Sequence, residues 1–321
     1  MVSKVFNASR LGVVVVSGVI ATLPLATGCG PAPRTGGHAL NETNSRIAYV
    51  VTEDEGGAEG DMNDRAVVVG SASATISADG TVANFTTNTN DIHDQENVAR
   101  NSGAFGELYG DSQLIGGLVS HNVIQVERIN DIDQDGTPDD TFLTFHHNNP
   151  NSPGRTEFAR GYHGTRTDVS VIDRLRGRSS HTATYRGVGQ VDGGQGAAQL
   201  ALDGDLEMTV RFTGETAGID GSINVNTPTG PTNPSGFDQV LFSGEILGGT
   251  ADYDITDIRI TRAGVDQVEF TRQAGVGSFF GQHAGGTIGV FAGSGQTTGA
   301  HPSQVNILGS FHGSTTDNNP R

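Results

Sequence analysis

The chain has 321 residues with 36 Asp plus Glu against 19 Lys plus Arg, a formal charge of -17 that excludes a nucleic-acid partner, because phosphate binding needs clustered cations. Lys4 is the only lysine and Cys29 the only cysteine, which excludes Schiff-base and Walker-type lysine chemistry beyond the N-terminus, an intramolecular disulfide and a thiolate zinc site. Forty-seven glycines, three Met and no Trp suit a turn-rich protein of many short strands.

Residues 1 to 28 read as a signal peptide: Lys4 and Arg10 form a positive start, followed by an apolar run from Leu11 to Leu25 that is short and broken by Gly and Pro. The run ends in Leu25-Ala26-Thr27-Gly28-Cys29, which resembles the bacterial lipobox. That resemblance implies cleavage before Cys29, lipidation of its thiol and amine, and stable anchoring by two or more acyl chains. Gly30 after the cysteine, rather than aspartate, points to the outer membrane. Removing Lys4 and Arg10 leaves a still more acidic chain that anionic membrane surfaces repel. Residues 29 to 45 are rich in Pro, Gly and polar side chains and are expected to be a flexible tether.

Short alternating or β-branched runs follow, separated by Gly, Asn and Asp clusters, and no amphipathic helix of 12 residues stands out. Strands are expected near 46 to 52, 65 to 76, 81 to 87, 122 to 129, 141 to 147, 156 to 163 and 167 to 172, with 90 to 112 unassigned. Between two of them lies Asp131-Ile132-Asp133-Gln134-Asp135-Gly136-Thr137-Pro138-Asp139-Asp140. Side-chain oxygens at Asp131, Asp133, Asp135 and Asp139, a backbone carbonyl at Thr137 and a turn at Gly136 match the first part of a calcium loop. Phe142 stands where an EF-hand has its bidentate glutamate, and the flanks alternate as strands, so a calcium-binding hairpin is expected instead. Bound Ca2+ there would stiffen the hairpin; the alternative is a solvated acidic turn.

Ten histidines invite a metal reading, but adjacent His146 and His147 face opposite sides of a strand, and His121 and His163 reach them only through the fold. Surface histidines are the plainer reading. Arg155, Arg160, Arg166, Arg174, Arg176, Arg178 and Arg186 form a basic stretch, and on a strand Arg174, Arg176 and Arg178 would share one face. Such a face suits an acidic partner, a porphyrin carboxylate or an anionic glycan. Pairing with the chain's own carboxylates is the alternative.

A second set of strands is expected near 181 to 191, 204 to 213, 217 to 225, 238 to 247, 253 to 261, 266 to 272, 276 to 281, 286 to 293 and 304 to 312, with 226 to 236 a Pro-rich loop, spacings that suit an antiparallel barrel. Here His181-Thr-Ala-Thr-Tyr-Arg-Gly187, Leu206 to Phe212 with Gly218 to Ile223, Gly277-Ser-Phe-Phe-Gly-Gln-His-Ala-Gly-Gly-Thr-Ile-Gly-Val-Phe291 and Ile307 to Gly313 resemble the β-barrel domain of transferrin-binding protein B and related bacterial surface lipoproteins. Gln282 replaces that family's proline, and its acidic residue is missing between His283 and Gly286. Phe279, Phe280 and Phe291 are expected to fill the barrel, with Gly281, Gly286 and Gly289 allowing a tight corner.

The expected fold is therefore all-β: an N-terminal antiparallel, handle-like region over 46 to 178, then an eight-stranded antiparallel barrel over 179 to 321. The resemblance implies a non-catalytic, lipid-anchored, surface-exposed outer-membrane protein. It would capture a solute or protein, such as an iron- or haem-carrying protein, and work with a TonB-type outer-membrane receptor. Gly-x-Ser-x-Gly, His-Glu-x-x-His and Ser-x-x-Lys are all absent, so no catalytic set is nominated. The alternatives are a glycan-binding or carbohydrate-active lipoprotein on a β scaffold, and a structural envelope protein. Five Tyr and no Trp offer little aromatic surface for glycan stacking.

Overall fold

A computed structural model describes residues 46–315 except 54–65, 71, 77–81, 88–95, 103–106, 116–117, 130, 137–140, 150–154, 178–181, 196–197, 214–216, 227–229, 231–232 and 234. Cys29 and the tether lie outside the described residues. The described residues form two nine-stranded antiparallel sheets and one helix. The first holds β1 (Arg46–Glu53), β2 (Ala66–Gly70), β3 (Ala72–Ile76), β4 (Val82–Thr87), β5 (Glu96–Ser102), β6 (Glu107–Ile115), β7 (Leu118–Ile129), β8 (Thr141–Asn149) and β9 (Arg155–His163), in the order β2-β1-β9-β8-β7-β6-β5-β4-β3. Its edge strands β2 and β3 are one residue apart in sequence. The end of β2 at Gly70 and the start of β3 at Ala72 are therefore no more than about 7 Å apart.

The second sheet holds β10 (Thr182–Gln195), β11 (Ala198–Arg211), β12 (Gly218–Val225), β13 (Gln239–Ile246), β14 (Asp252–Arg262), β15 (Val265–Asp266), β16 (Val268–Phe280), β17 (Gly286–Thr297) and β18 (Gln304–Thr315). Pairing of β10 with β18 and of β13 with β14 closes eight of these into a barrel, and β15 is an extra two-residue strand on β14. On β11, Leu200, Leu202, Leu206, Met208 and Val210 point inward and are buried, while Asp203, Asp205, Glu207 and Arg211 alternate to solvent. The inward stripe is the sequence signature that sets the register.

Two bulges interrupt that alternation. On β14 Thr256 faces no partner residue, so the inward set changes from Tyr253 and Ile255 to Ile258 and Ile260. On β16 the register shifts between Phe270 and Arg272, and the inward set changes from Val268 and Phe270 to Phe279. The two strands expected at 266 to 272 and 276 to 281 are thus mainly one continuous strand, whose broken period is a bulge rather than a turn.

Aromatic rings fill the barrel. Phe242 stacks on Phe311 at 4.5 Å between ring centroids, and Phe291 lies 6.2 Å from Phe242. Phe279 contacts Phe212 and Tyr253, each at 5.2 Å. Gly309 makes this packing possible: a Cβ there would stand 2.1 Å from the Phe291 ring. Phe280 departs from expectation. It follows Phe279 on a strand and so points outward, where it is fully buried with Ile132, Leu143, Tyr162, Val276, Ile288 and Val290. This second core lies between the sheets, with β1, β2 and β9 against β16, β17 and β18. It explains why residues 286–295 are buried on both faces.

Residues expected as a strand at 167 to 172 begin a helix instead, α1 (Val169–Arg176). The β-branched run favours a strand locally, but the Asp168 carboxylate caps the first turn by accepting the Ser170 amide at 2.7 Å. Hydrogen bonding from the Ser170 side chain, and then from its amide, lowers the pKa of this exposed carboxyl from its ordinary value. Val171, Ile172 and Leu175 then share one face and join the barrel core, closing one mouth. Phe237 is buried in the same core beside the β12–β13 loop, where Asn233 accepts from its amide and donates to its carbonyl, both at 2.9 Å.

Candidate functional site

The acidic segment connects β7 to β8 as a hairpin whose base pairs Ile129 with Thr141. The Thr141 hydroxyl donates to the Ile129 carbonyl at 2.7 Å. One carboxylate oxygen from each of Asp131, Asp133 and Asp135 lies within 4.8 Å of the others. Asp131 organises the turn, accepting the Asp135 amide at 3.0 Å on Oδ1 and the Gly136 amide at 2.9 Å on Oδ2. Asp133 Oδ1 accepts the Asp135 amide at 3.2 Å. Gly136, at φ 86°, supplies the left-handed conformation the turn requires. Thr137 and Asp139 lie outside the described residues. Three convergent carboxylates form a hard oxygen set that suits Ca2+ or Mg2+ rather than a thiophilic metal.

This loop rests on the other sheet. Ile132 is 3% exposed and packs against Gly286, where a Cβ would meet its side chain at 2.7 Å. Asp133 lies over the β16–β17 corner: a Cβ at Gly281 would collide with its carboxylate, and one at Gly285 would stand 2.8 Å from its Cβ. Gly281 has φ 80°, and its carbonyl accepts the Thr167 hydroxyl at 2.9 Å. The Gly285 carbonyl accepts the Thr315 amide at 2.7 Å, and the Tyr185 hydroxyl donates to the Ala284 carbonyl. Gly281 and Gly286 thus create room for the acidic loop as well as for the corner. Gln282 and His283 are exposed at its tip.

The basic stretch does not form the expected face. Arg174 and Arg176 are helical, and Arg178 and the side chain of Arg155 lie outside the described residues. Arg160 pairs with Asp192 and donates to Ser310 at 2.6 Å. Arg166 Nε sits 3.0 Å from Asp252 Oδ1, with Ser278 and Tyr162 completing a buried polar cluster. Arg176 donates to the carbonyls of Ile246 and Leu247 at 3.0 and 3.2 Å, and Arg186 pairs with exposed Glu207. Pairing within the molecule accounts for Arg160, Arg166 and Arg186.

His146 and His147 are adjacent on β8 and His121 is on β7, but their side chains lie outside the described residues. His163 ends β9 opposite Phe142. His312, within the Ile307 to Gly313 segment, is partly buried. It occupies the outward face of β18, and the period of that strand shows the face but not what covers it.

No protein-family model and no curated protein matches the chain. Among solved structures, intact Ap-TbpB (N and C lobes) is similar over 77% of this chain at 12% identity with a TM-score of 0.34, and the chain spans 52% of its length. A double mutant of the vaccine antigen Transferrin Binding Protein B from Haemophilus parasuis Hp5 is similar over 86% of this chain and 76% of its own, at 11% identity and a TM-score of 0.32. HpuA from Kingella denitrificans, in complex with human haemoglobin, is similar over 90% of both chains at 14% identity and a TM-score of 0.36. These are distant similarities of fold.

Proposed function

We propose that this chain is a lipid-anchored surface protein that captures an iron- or haem-carrying protein without catalysis and presents it to an outer-membrane receptor. The observation that supports this most is the Gly277 to Phe291 segment. The residues that carry its resemblance to surface lipoproteins are those that build the β16–β17 corner of the barrel, with Phe279 and Phe291 inside and Gly281 turning the chain. A barrel filled by aromatic rings, with α1 over one mouth, is a scaffold rather than a container. Recognition then falls to its outer face and loops. Cells expressing the full chain should bind labelled haemoglobin, transferrin or haemin saturably, leave the probe chemically unchanged, and lose binding when the gene is deleted. Binding of anionic or neutral glycans in place of all three probes would favour the carbohydrate reading and end this one.

In the same reading, Asp131, Asp133, Asp135, Thr137 and Asp139 hold a structural Ca2+ that neutralises the clustered carboxylates and stiffens the hairpin on the barrel corner. Without a position-12 glutamate the affinity belongs at the weak, extracellular end, roughly 0.1 to 1 mM. Calorimetric titration should give heat with calcium, less with magnesium, and none in an Asp133→Asn, Asp135→Asn double variant. Equal traces for wild type and variant would leave the loop a solvated acidic turn. At a few-fold calcium excess the added stability is below about 1 kcal/mol.

A further inference from the structure

We propose that Arg176 and the β13–β14 turn form a binding site for an oxyanion, a phosphate or carboxylate group, at the barrel mouth that α1 closes. The site begins with an arginine that the fold fixes in place but does not neutralise. Arg176 lies in the last turn of α1 and is half-buried. Its Nη2 donates to the carbonyls of Ile246 and Leu247 at 3.0 and 3.2 Å. No carboxylate among the described residues pairs with it, in a chain of formal charge -17. Its Nε is buried with no acceptor, which costs stability, so the guanidinium is not oriented to satisfy its own donors.

What this orientation leaves free is Nη1. That nitrogen makes no hydrogen bond to a described residue and is open to solvent. It stands over the β13–β14 turn, 3.8 Å from where a Cβ of Gly248 would be. Apart from chain neighbours, nothing else comes within 4 Å of that position, and nothing at all comes that close to the corresponding position at Gly249. Both glycines are exposed, and their amides bond to no described residue. The turn is closed instead by the Leu247 amide on the Asp252 carbonyl at 2.9 Å and by the Thr250 hydroxyl on the Leu247 carbonyl at 3.3 Å. Nη1 and the two glycine amides are thus donors without acceptors, around a space that no side chain fills.

A fixed cation beside free backbone N–H groups is the chemistry that recognises an oxyanion. Because Nη2 is already held, binding freezes no further arginine rotamer, a cost that most surface arginines would add. Of the nearby carboxylates, Asp252 is taken up by Arg166, while Asp173 of α1 and Glu245 of β13 are exposed and screened by solvent. Arg174, exposed in the same last turn of α1, adds a second cation. The site is separate from the acidic loop, and it stands whether or not that loop holds calcium.

Amide NMR of the full chain, with inorganic phosphate and acetate as separate probes, tests the site. At low salt the Gly248 and Gly249 resonances should shift saturably, with a dissociation constant in the millimolar range, and added sodium chloride should weaken binding. Arg176→Gln should weaken it at least about tenfold. Gly248→Val should do the same by filling the space while the charge stays, and Arg259→Gln, at the exposed pair with Asp266, should change nothing. Tighter binding of phosphate assigns a phosphate-bearing ligand, tighter binding of acetate a carboxylate-bearing one, and equal binding an oxyanion of either kind. The proposal is overturned if neither probe shifts these two glycines saturably, or if Arg176→Gln binds as wild type does. Should Arg176→Gln not fold, Gly248→Val decides in its place, and unchanged binding there overturns the site.

Discussion

Phe291→Ala is expected to lower the free energy of unfolding by about 3–5 kcal/mol, and Phe279→Ala by a similar amount. Both rings are fully buried in the barrel. The upper part of the range applies to Phe291 because the site cannot collapse. Its ring lies over Gly309, and its Cβ is 2.8 Å from where a Cβ on Gly275 would be. Neither glycine has a side chain to move into the space. Phe242 and Phe311 are held at 4.5 Å by their own stacking. Denaturant midpoints with an unchanged m-value would read the cost directly. A cost below about 1 kcal/mol for both variants would place the rings outside a packed interior.

Arg166→Leu should be nearly as damaging, at about 3–5 kcal/mol, because it takes away the guanidinium 3.0 Å from the buried Asp252 carboxylate. Asp252 would keep the Ser278 hydroxyl, which donates to it at 2.6 Å. A neutral donor such as that hydroxyl offsets less of a carboxylate's desolvation than a guanidinium does. The pair also ties the segment between the sheets to the barrel, since Arg166 bridges to Phe280 and the Thr167 amide donates to the Phe279 carbonyl at 2.9 Å. A double Arg166→Leu, Asp252→Leu variant should recover part of the loss, because the charge requirement disappears from both sides. A neutral single variant would show that the pair is not structurally important.

Strand periodicity made the barrel legible where one face of a strand is solvated and the inward residues alternate cleanly, as on β11. It failed where a second layer covers the outside. Residues 286–295 are buried on both faces, so nothing local tells Phe291, inside the barrel, from Ile288, outside it. Phe280 was misplaced for that reason. The helix at 169–176 was missed because Val169, Val171 and Ile172 are β-branched, and only the Asp168 cap and the barrel mouth select a helix there. The acidic loop was legible as a set of oxygens, since its spacing is local. Its seat on Gly281, Gly285 and Gly286 was not, because nearly 150 residues separate the two partners. Arg166 and Asp252 illustrate the same limit: a buried pair joined across the fold leaves no spacing to read.

The reading of an anchored surface protein turns on Cys29, the one thiol in the chain. Cells expressing the full chain in medium with radiolabelled palmitate should yield a labelled protein that enters the detergent phase and lacks residues 1 to 28. Cys29→Ser should abolish both the label and the phase partition, because without a thiol there is no acyl acceptor and no second chain to hold the membrane. A wild-type chain that takes up no palmitate, or a Cys29→Ser chain that still partitions with detergent as wild type does, would contradict the account.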